Sequence, residues 1–113
     1  MALRLKRAEQ VLRGRLHPLL VEQGITFEHW QVLAAVQEEP GLRMSDLAEA
    51  AVLPPATLTR YVDRLVERAL IVRRIDAEDR RIAVIALSQS GEALVARINE
   101  AEELVPLDLN VLS

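Results

Sequence analysis

Residues Pro54 to Arg81, PPATLTRYVDRLVERALIVRRIDAEDRR, constrain the fold more than any other part of the chain. Two prolines open the stretch, and a proline at the first helical position is well tolerated. Leu58, Tyr61, Val62, Leu65 and Val66 then recur at helical spacing and face a core. Thr57, Arg60 and Arg64 line the other side, with Ala56, Thr59, Asp63 and Glu67 beside them. The pattern predicts a helix over 54–68 with a polar outer face. The period changes at Ile71. Ile71 to Ile75 and Ile82 to Leu87 are rich in Ile and Val, while Asp76 to Arg81 is polar apart from Ala77. That predicts a hairpin over 71–87 with a charged tip.

The preceding segments read as a helical platform. Leu5, Ala8, Leu12, Leu16 and Leu19 form a stripe that predicts a helix over 3–22. Pro18 removes an interior hydrogen bond, so a kink or break is expected near His17. Gln23-Gly24 is a stop signal. Thr26 is a good cap for a second helix, with Glu28 in its first turn and Phe27, Trp30 and Leu33 on its apolar face. Pro40-Gly41 ends it. Ser45 is expected to cap a short third helix, with Asp46 in its first turn. A short helix, a tight turn and a polar-faced helix make a helix-turn-helix, and the hairpin behind it is a wing. Ser88 caps a last helix that carries Leu94, Ile98, Ala101 and Val105 on one stripe and stops at Pro106.

One hundred and thirteen residues, half of them apolar, suit one small domain with a thin stability margin. Cysteine is absent, which excludes disulfides and thiol redox sensing and suits a cytoplasmic protein. The charged N-terminus is not expected to be a signal peptide. The longest uncharged runs, Ala50 to Thr59 and Ile82 to Gly91, are about half of the ~20 residues that a membrane span needs, so no membrane partner is expected.

Net charge is −3, which by itself argues against a nucleic-acid partner. Its distribution reverses the argument. Residues 54–81 hold seven arginines against five acids, whereas 82–113 hold Arg97 against five acids. Positive charge therefore sits in the middle, and all of it is Arg, the residue suited to bidentate contacts with phosphate and guanine.

The words ITFEHWQVL (Ile25 to Leu33), SDLAEAA (Ser45 to Ala51), ATLTRYVDRLVERALIVRR (Ala56 to Arg74) and DAEDRRIAVIALSQSGEAL (Asp76 to Leu94) resemble the multiple-antibiotic-resistance regulator (MarR) family of winged-helix repressors. The resemblance implies a mainly α fold with a small β-hairpin, a winged helix-turn-helix with flanking N- and C-terminal helices. It implies a single domain over 1–113, with helices 3–22 and 88–105 dimerising around a winged-helix core over 26–87. It implies that Thr57, Thr59 and Arg60 read the major groove from helix 54–68, and that Arg80 on wing 71–87 reaches the minor groove. Asp63 and Arg81 match a pair that braces helix to wing. Arg64 and Arg81 complete the DNA-binding candidates, with pairing of Arg64 and Arg68 to neighbouring acids on the helix as the alternative for those two. The chain departs from the family pattern at Pro54, where a Ser cap is common, at Ala69, where Gly is common, and at its shorter end.

The expected partners are double-stranded DNA, a second copy in a homodimer, and a small-molecule effector. No cofactor or metal is expected: His17 and His29 lack carboxylates at metal-ligand spacing, and surface roles suit them. Trp30 suits the core better than a ligand platform. Ser88 and Ser90 have no triad around them, so no enzyme is read here. The competing interpretation is a winged-helix module that binds protein and not DNA, which the net acidity favours.

Overall fold

The computed structural model describes residues 2–104. The described elements run α1 (Ala2–Gln23), α2 (Phe27–Glu38), β1 (Leu42–Arg43), α3 (Met44–Ala51), α4 (Pro55–Glu67), β2 (Ile71–Ile75), β3 (Ala83–Leu87) and α5 (Gln89–Leu104). The strands form one antiparallel sheet in the order β1-β3-β2. β2 and β3 pair from Ile71 opposite Leu87 to Ile75 opposite Ala83, so the expected hairpin is present. The expected helix end at Val105 and Pro106 lies outside the described residues.

Three expectations need correction. α1 continues through Pro18 without a break. Leu16 and Leu20, on either side of that proline, are buried in the core, and their packing outweighs one lost hydrogen bond. The third helix is not capped by Ser45. It begins at Met44, with Arg43 at the cap position and no side-chain cap bond. The cause is β1, which the sequence reading missed. Leu42 and Arg43 pair with Ile85 and Val84, and the strand delivers the chain straight into the helix. Two residues are too few to show alternation. The third is the brace between helix and wing, in which Arg73 and not Arg81 holds Asp63.

The core is aliphatic, as three aromatics require. Val32, Leu33 and Val36 of α2 meet Leu47 of α3, Leu58, Val62 and Leu65 of α4, and Ile85 of β3. α1 and α5 pack on each other and on α2. α4 therefore presents one buried stripe inward, each large side chain on it worth ~1.5–3 kcal/mol, and leaves its other face to solvent.

α1, α3 and α4 all end in the same Schellman turn, in which a left-handed residue lets the next N–H reach back five residues. In α1 the left-handed residue is Gly24 (φ +70), and the Ile25 N–H donates to the Leu20 carbonyl. In α3 it is Val52 (φ +54), with Leu53 donating to Ala48, and in α4 it is Ala69 (φ +59), with Leu70 donating to Leu65. Left-handed backbone costs an L-residue about 1–2 kcal/mol. The two strained turns flank the helix that the sequence assigns to reading DNA. Val52 is also 86% exposed, so no burial offsets its strain.

The wing joins α5 through one tight junction. Ser88 Oγ accepts the Gly91 N–H at 2.9 Å, as the expected cap, and donates to the Ala69 carbonyl at 2.6 Å. The Ser88 N–H donates to the Leu70 carbonyl at 3.0 Å. This junction gives the LSQSG word its physical meaning: a hydroxyl at position 88 and no side chain at position 91.

Candidate nucleic-acid interface

α4 begins without a side-chain cap and without an acid in its first turn, whereas α2, α3 and α5 carry Glu28, Asp46 and Glu92 there. Its first N–H groups, the positive end of the helix dipole, are thus left to an outside anion. The exposed face behind that end carries Ala56, Thr59, Arg60 and Asp63, with Thr57 half-buried beside them. The Thr59 hydroxyl donates to the Pro55 carbonyl at 2.9 Å. It therefore offers the outside its methyl group and its lone pairs, not its proton.

Arg60 has no hydrogen bond or ion pair among the described residues. The acid that could quench it is Asp63, one turn further on, but Asp63 is engaged elsewhere. Arg73 of β2 donates to its carboxylate at 2.6 Å. That pair is the brace between helix and wing, and it corrects the expected Asp63–Arg81 brace. Arg81 instead bonds Asp79 through its own backbone N–H (3.0 Å), Nε (3.1 Å) and Nη2 (3.0 Å). The reason is local. Arg81 lies two residues from Asp79 at the tip, whereas Arg73 lies on the strand that α4 packs against. The Arg81 guanidinium in turn lowers the pKa of the Asp79 carboxyl.

The other tip acids fall into place around this brace. Asp76 accepts the Glu78 N–H at 2.9 Å and pairs with Arg43 of β1 at 3.8 Å. Arg43 is a contributor that sequence reasoning missed, since nothing in the order of residues announces a neighbour 33 positions away. Of the tip acids only Glu78 keeps its charge unpaired among the described residues, and Arg80 beside it is exposed and unpaired too. Arg74 points away from Arg73, as alternation requires, and lines an open groove with Val36, Pro40 and Glu92.

Arg64, a DNA-contact candidate by sequence, turns inward. Its Nε and Nη2 donate to the Gly24 carbonyl at 3.2 and 2.9 Å, and Nη1 pairs with Glu67 at 3.2 Å. Arg68, one turn on, donates to the Gln23 carbonyl at 2.7 Å. No sequence signal marks these acceptors, because they are backbone.

His29 completes the same joint. Its Nδ1 accepts the Thr26 N–H at 2.9 Å while the Thr26 hydroxyl caps the His29 N–H, a reciprocal capping box. The ring meets Tyr61 of α4 edge-on at 4.9 Å. Burial first, and then the charge of Arg64, lower its pKa below 6.5, against an opposing pull from Glu28. Burial and Arg64 both disfavour the imidazolium, so the native state binds its proton less readily than the unfolded chain. Stability from this site is full above ~6.5 and falls as pH drops through the folded pKa. Gln is a normal capping-box partner at this position and does not titrate. His29→Gln is expected to keep the melting temperature at pH 7.5 and to reduce its fall between pH 7.5 and pH 5, measured by circular dichroism. Identical falls in both proteins would refute this role for the ring.

Trp30 packs on Phe27 at 5.0 Å between ring centroids, and its Nε1 is buried without an acceptor among the described residues.

A model described as the MarR family matches residues 23–82, which span α2 to the wing tip. The HTH-type transcriptional regulator FarR of Neisseria gonorrhoeae is 30% identical over 83% of this chain and 64% of its own length. The HTH-type transcriptional repressor MdtR of Bacillus subtilis is 31% identical over 74% of this chain and 56% of its own length. The chain thus spans somewhat under two-thirds of these relatives. Among solved structures, the S. aureus MepR F27L mutant bound to an oligodeoxyribonucleotide superposes with a TM-score of 0.71 at 28% identity, over 84% of this chain and 67% of the other.

Proposed function

The chain belongs to the MarR family, and from that premise we propose that it is a sequence-specific, double-stranded DNA-binding transcriptional regulator, acting as a repressor. The observation that carries this reading is the state of charge on one face. The Asp63–Arg73, Asp76–Arg43 and Asp79–Arg81 pairs neutralise the three local aspartates and leave Arg60 on α4 and Arg80 on the wing unpaired among the described residues, with Glu78 the one tip acid that keeps its charge. The net acidity of the chain is no obstacle, because it lies largely beyond residue 81.

In this reading α4 enters the major groove, with Arg60 on a guanine edge and Thr59 offering its methyl group to thymine or its oxygen to an exocyclic amine. The wing lies over the adjacent minor groove, where Arg80 meets the negative potential. Two copies joined through α1 and α5 place two α4 helices on half-sites about 10 bp apart. A small-molecule effector belongs to the same reading, and the buried indole N–H of Trp30, without a partner among the described residues, is a donor such a ligand would satisfy. No catalytic step is assigned.

The test is the salt dependence of duplex affinity, followed by fluorescence anisotropy. The logarithm of the association constant should fall linearly with the logarithm of salt, by about 0.9 per neutralised phosphate. Arg80→Ala should weaken binding and make that slope shallower by about one. Affinity that is absent at low salt, or insensitive to salt, would exclude the reading.

A further inference from the structure

The joint at the end of α1 has a use that groove reading does not explain. The Schellman turn at Gly24 satisfies the carbonyls of Leu20 and Val21 but leaves those of Gln23 and Gly24 pointing outward. Arg64 on α4 and Arg68 at its C-cap, one turn apart, take those two carbonyls with three hydrogen bonds between 2.7 and 3.2 Å. A side chain at position 24 would press on this grip, which would have to give by a few tenths of an ångström. A Cβ there would sit 3.2 Å from Arg64 Nη2 and 3.4 Å from Arg68 Nε, at a φ of +70. The negative end of a helix and two fixed cations are complementary, and a guanidinium holds its donors in a rigid fork. Arg97 of α5 reaches the same end of α1 through Glu22 at 3.4 Å. The two arginines lie on the half of α4 away from Thr57, Thr59 and Arg60.

We propose that Arg64 and Arg68 are positioning residues that clasp the end of α1 and fix the angle of α4 against it, and so set the half-site spacing the protein accepts. The consequence for spacing rests on the proposed dimeric DNA-binding function, whereas the clasp itself does not. A shift of α1 is passed from the Gln23 and Gly24 carbonyls to α4 through the Arg64 and Arg68 guanidinium groups. The reading half of α4 then keeps its base contacts but moves as a rigid rod.

The absence of cysteine allows a direct test. Spin labels at Val21→Cys on α1 and Ala56→Cys at the far end of α4 report their separation, with labelled protein diluted in unlabelled protein. With the clasp intact one narrow distance is expected; Arg64→Gln with Arg68→Gln should broaden or shift it. Should that pair fail to fold, Arg64→Lys with Arg68→Lys keeps the charge, loses the fork and should still broaden the distribution. An unchanged distribution in a folded variant overturns the clasp whether or not the protein binds DNA.

The second arm uses duplexes with half-sites separated by spacers of graded length. Wild type should prefer one spacing over its neighbours by at least about tenfold, and the double variant by less than about threefold. Affinity for a single half-site should stay within about threefold. A retained spacing preference, or an equal loss on the single half-site, overturns the positioning role in favour of none or of direct contact. A wild type that binds no duplex fails the proposed function and leaves the label result to judge the clasp.

Discussion

Arg60→Ala lowers affinity for the preferred duplex by about 1–3 kcal/mol for each half-site, roughly five- to 150-fold, and relaxes sequence choice at one base pair in each. The size follows from what surrounds the guanidinium. Asp63 stands one turn away and would hold an isolated helix's Arg60 by an exposed pair worth only a few tenths of a kcal/mol. Arg73 removes even that competitor by binding Asp63 at 2.6 Å. Arg60 thus approaches DNA without breaking a bond inside the protein. Arg64 is the useful contrast, since it is four residues on and carries the same charge, yet it already holds a backbone carbonyl. Its loss should alter geometry more than base choice. Competition binding with single-base variants of the operator separates the two effects.

Gly91→Ala destabilises the fold by about 3 kcal/mol, at the upper end of what overpacking costs. Two effects oppose each other here, and their magnitudes decide the sign. Gly91 lies inside α5, where helix propensity alone favours alanine by about 1 kcal/mol. But an added Cβ would stand 2.1 Å from the Leu70 carbonyl oxygen and 3.0 Å from its carbon. Those are backbone atoms, and Leu70 and its neighbour Ile71 are both 1% exposed, so neither can move aside cheaply. The clash should win and lower the melting temperature by roughly 10 °C or more. The damage also falls at the base of the wing, because the same Leu70 carbonyl accepts the Ser88 N–H. A melting temperature that rises on substitution would show that the junction is looser than described.

Periodicity and turn chemistry carried most of this fold into view from the sequence. The apolar stripe of α4, the Ile- and Val-rich flanks of the wing, the Thr26 and Ser88 caps and the Gly24 stop are local properties, and each was legible because its cause lies within a few residues. What was not legible depends on non-local contacts. Alternation shows that Arg73 and Arg74 face opposite sides of the sheet, but only packing decides which side meets α4. The family resemblance set Arg81 against Asp63, where packing sets Arg73, and the Asp76 partner, Arg43, was invisible. Arg64 was open between a DNA contact and an ion pair on its own helix, and the pair with Glu67 is present. Its other acceptor is a main-chain oxygen 40 residues away, which no residue type encodes. Pro18 erred in the other direction, because a local rule for breaking helices yielded to the burial of Leu16 and Leu20.

The most direct test of DNA reading by α4 and the wing is selection of bound duplexes from a random pool, with wild type and Arg60→Ala side by side at two salt concentrations. The account predicts enrichment of a pseudo-palindrome with half-sites about 10 bp apart, sharper at the higher salt, and loss of preference at one symmetric position in the variant. No enrichment by wild type, or the same motif with undiminished preference at every position in Arg60→Ala, would contradict it.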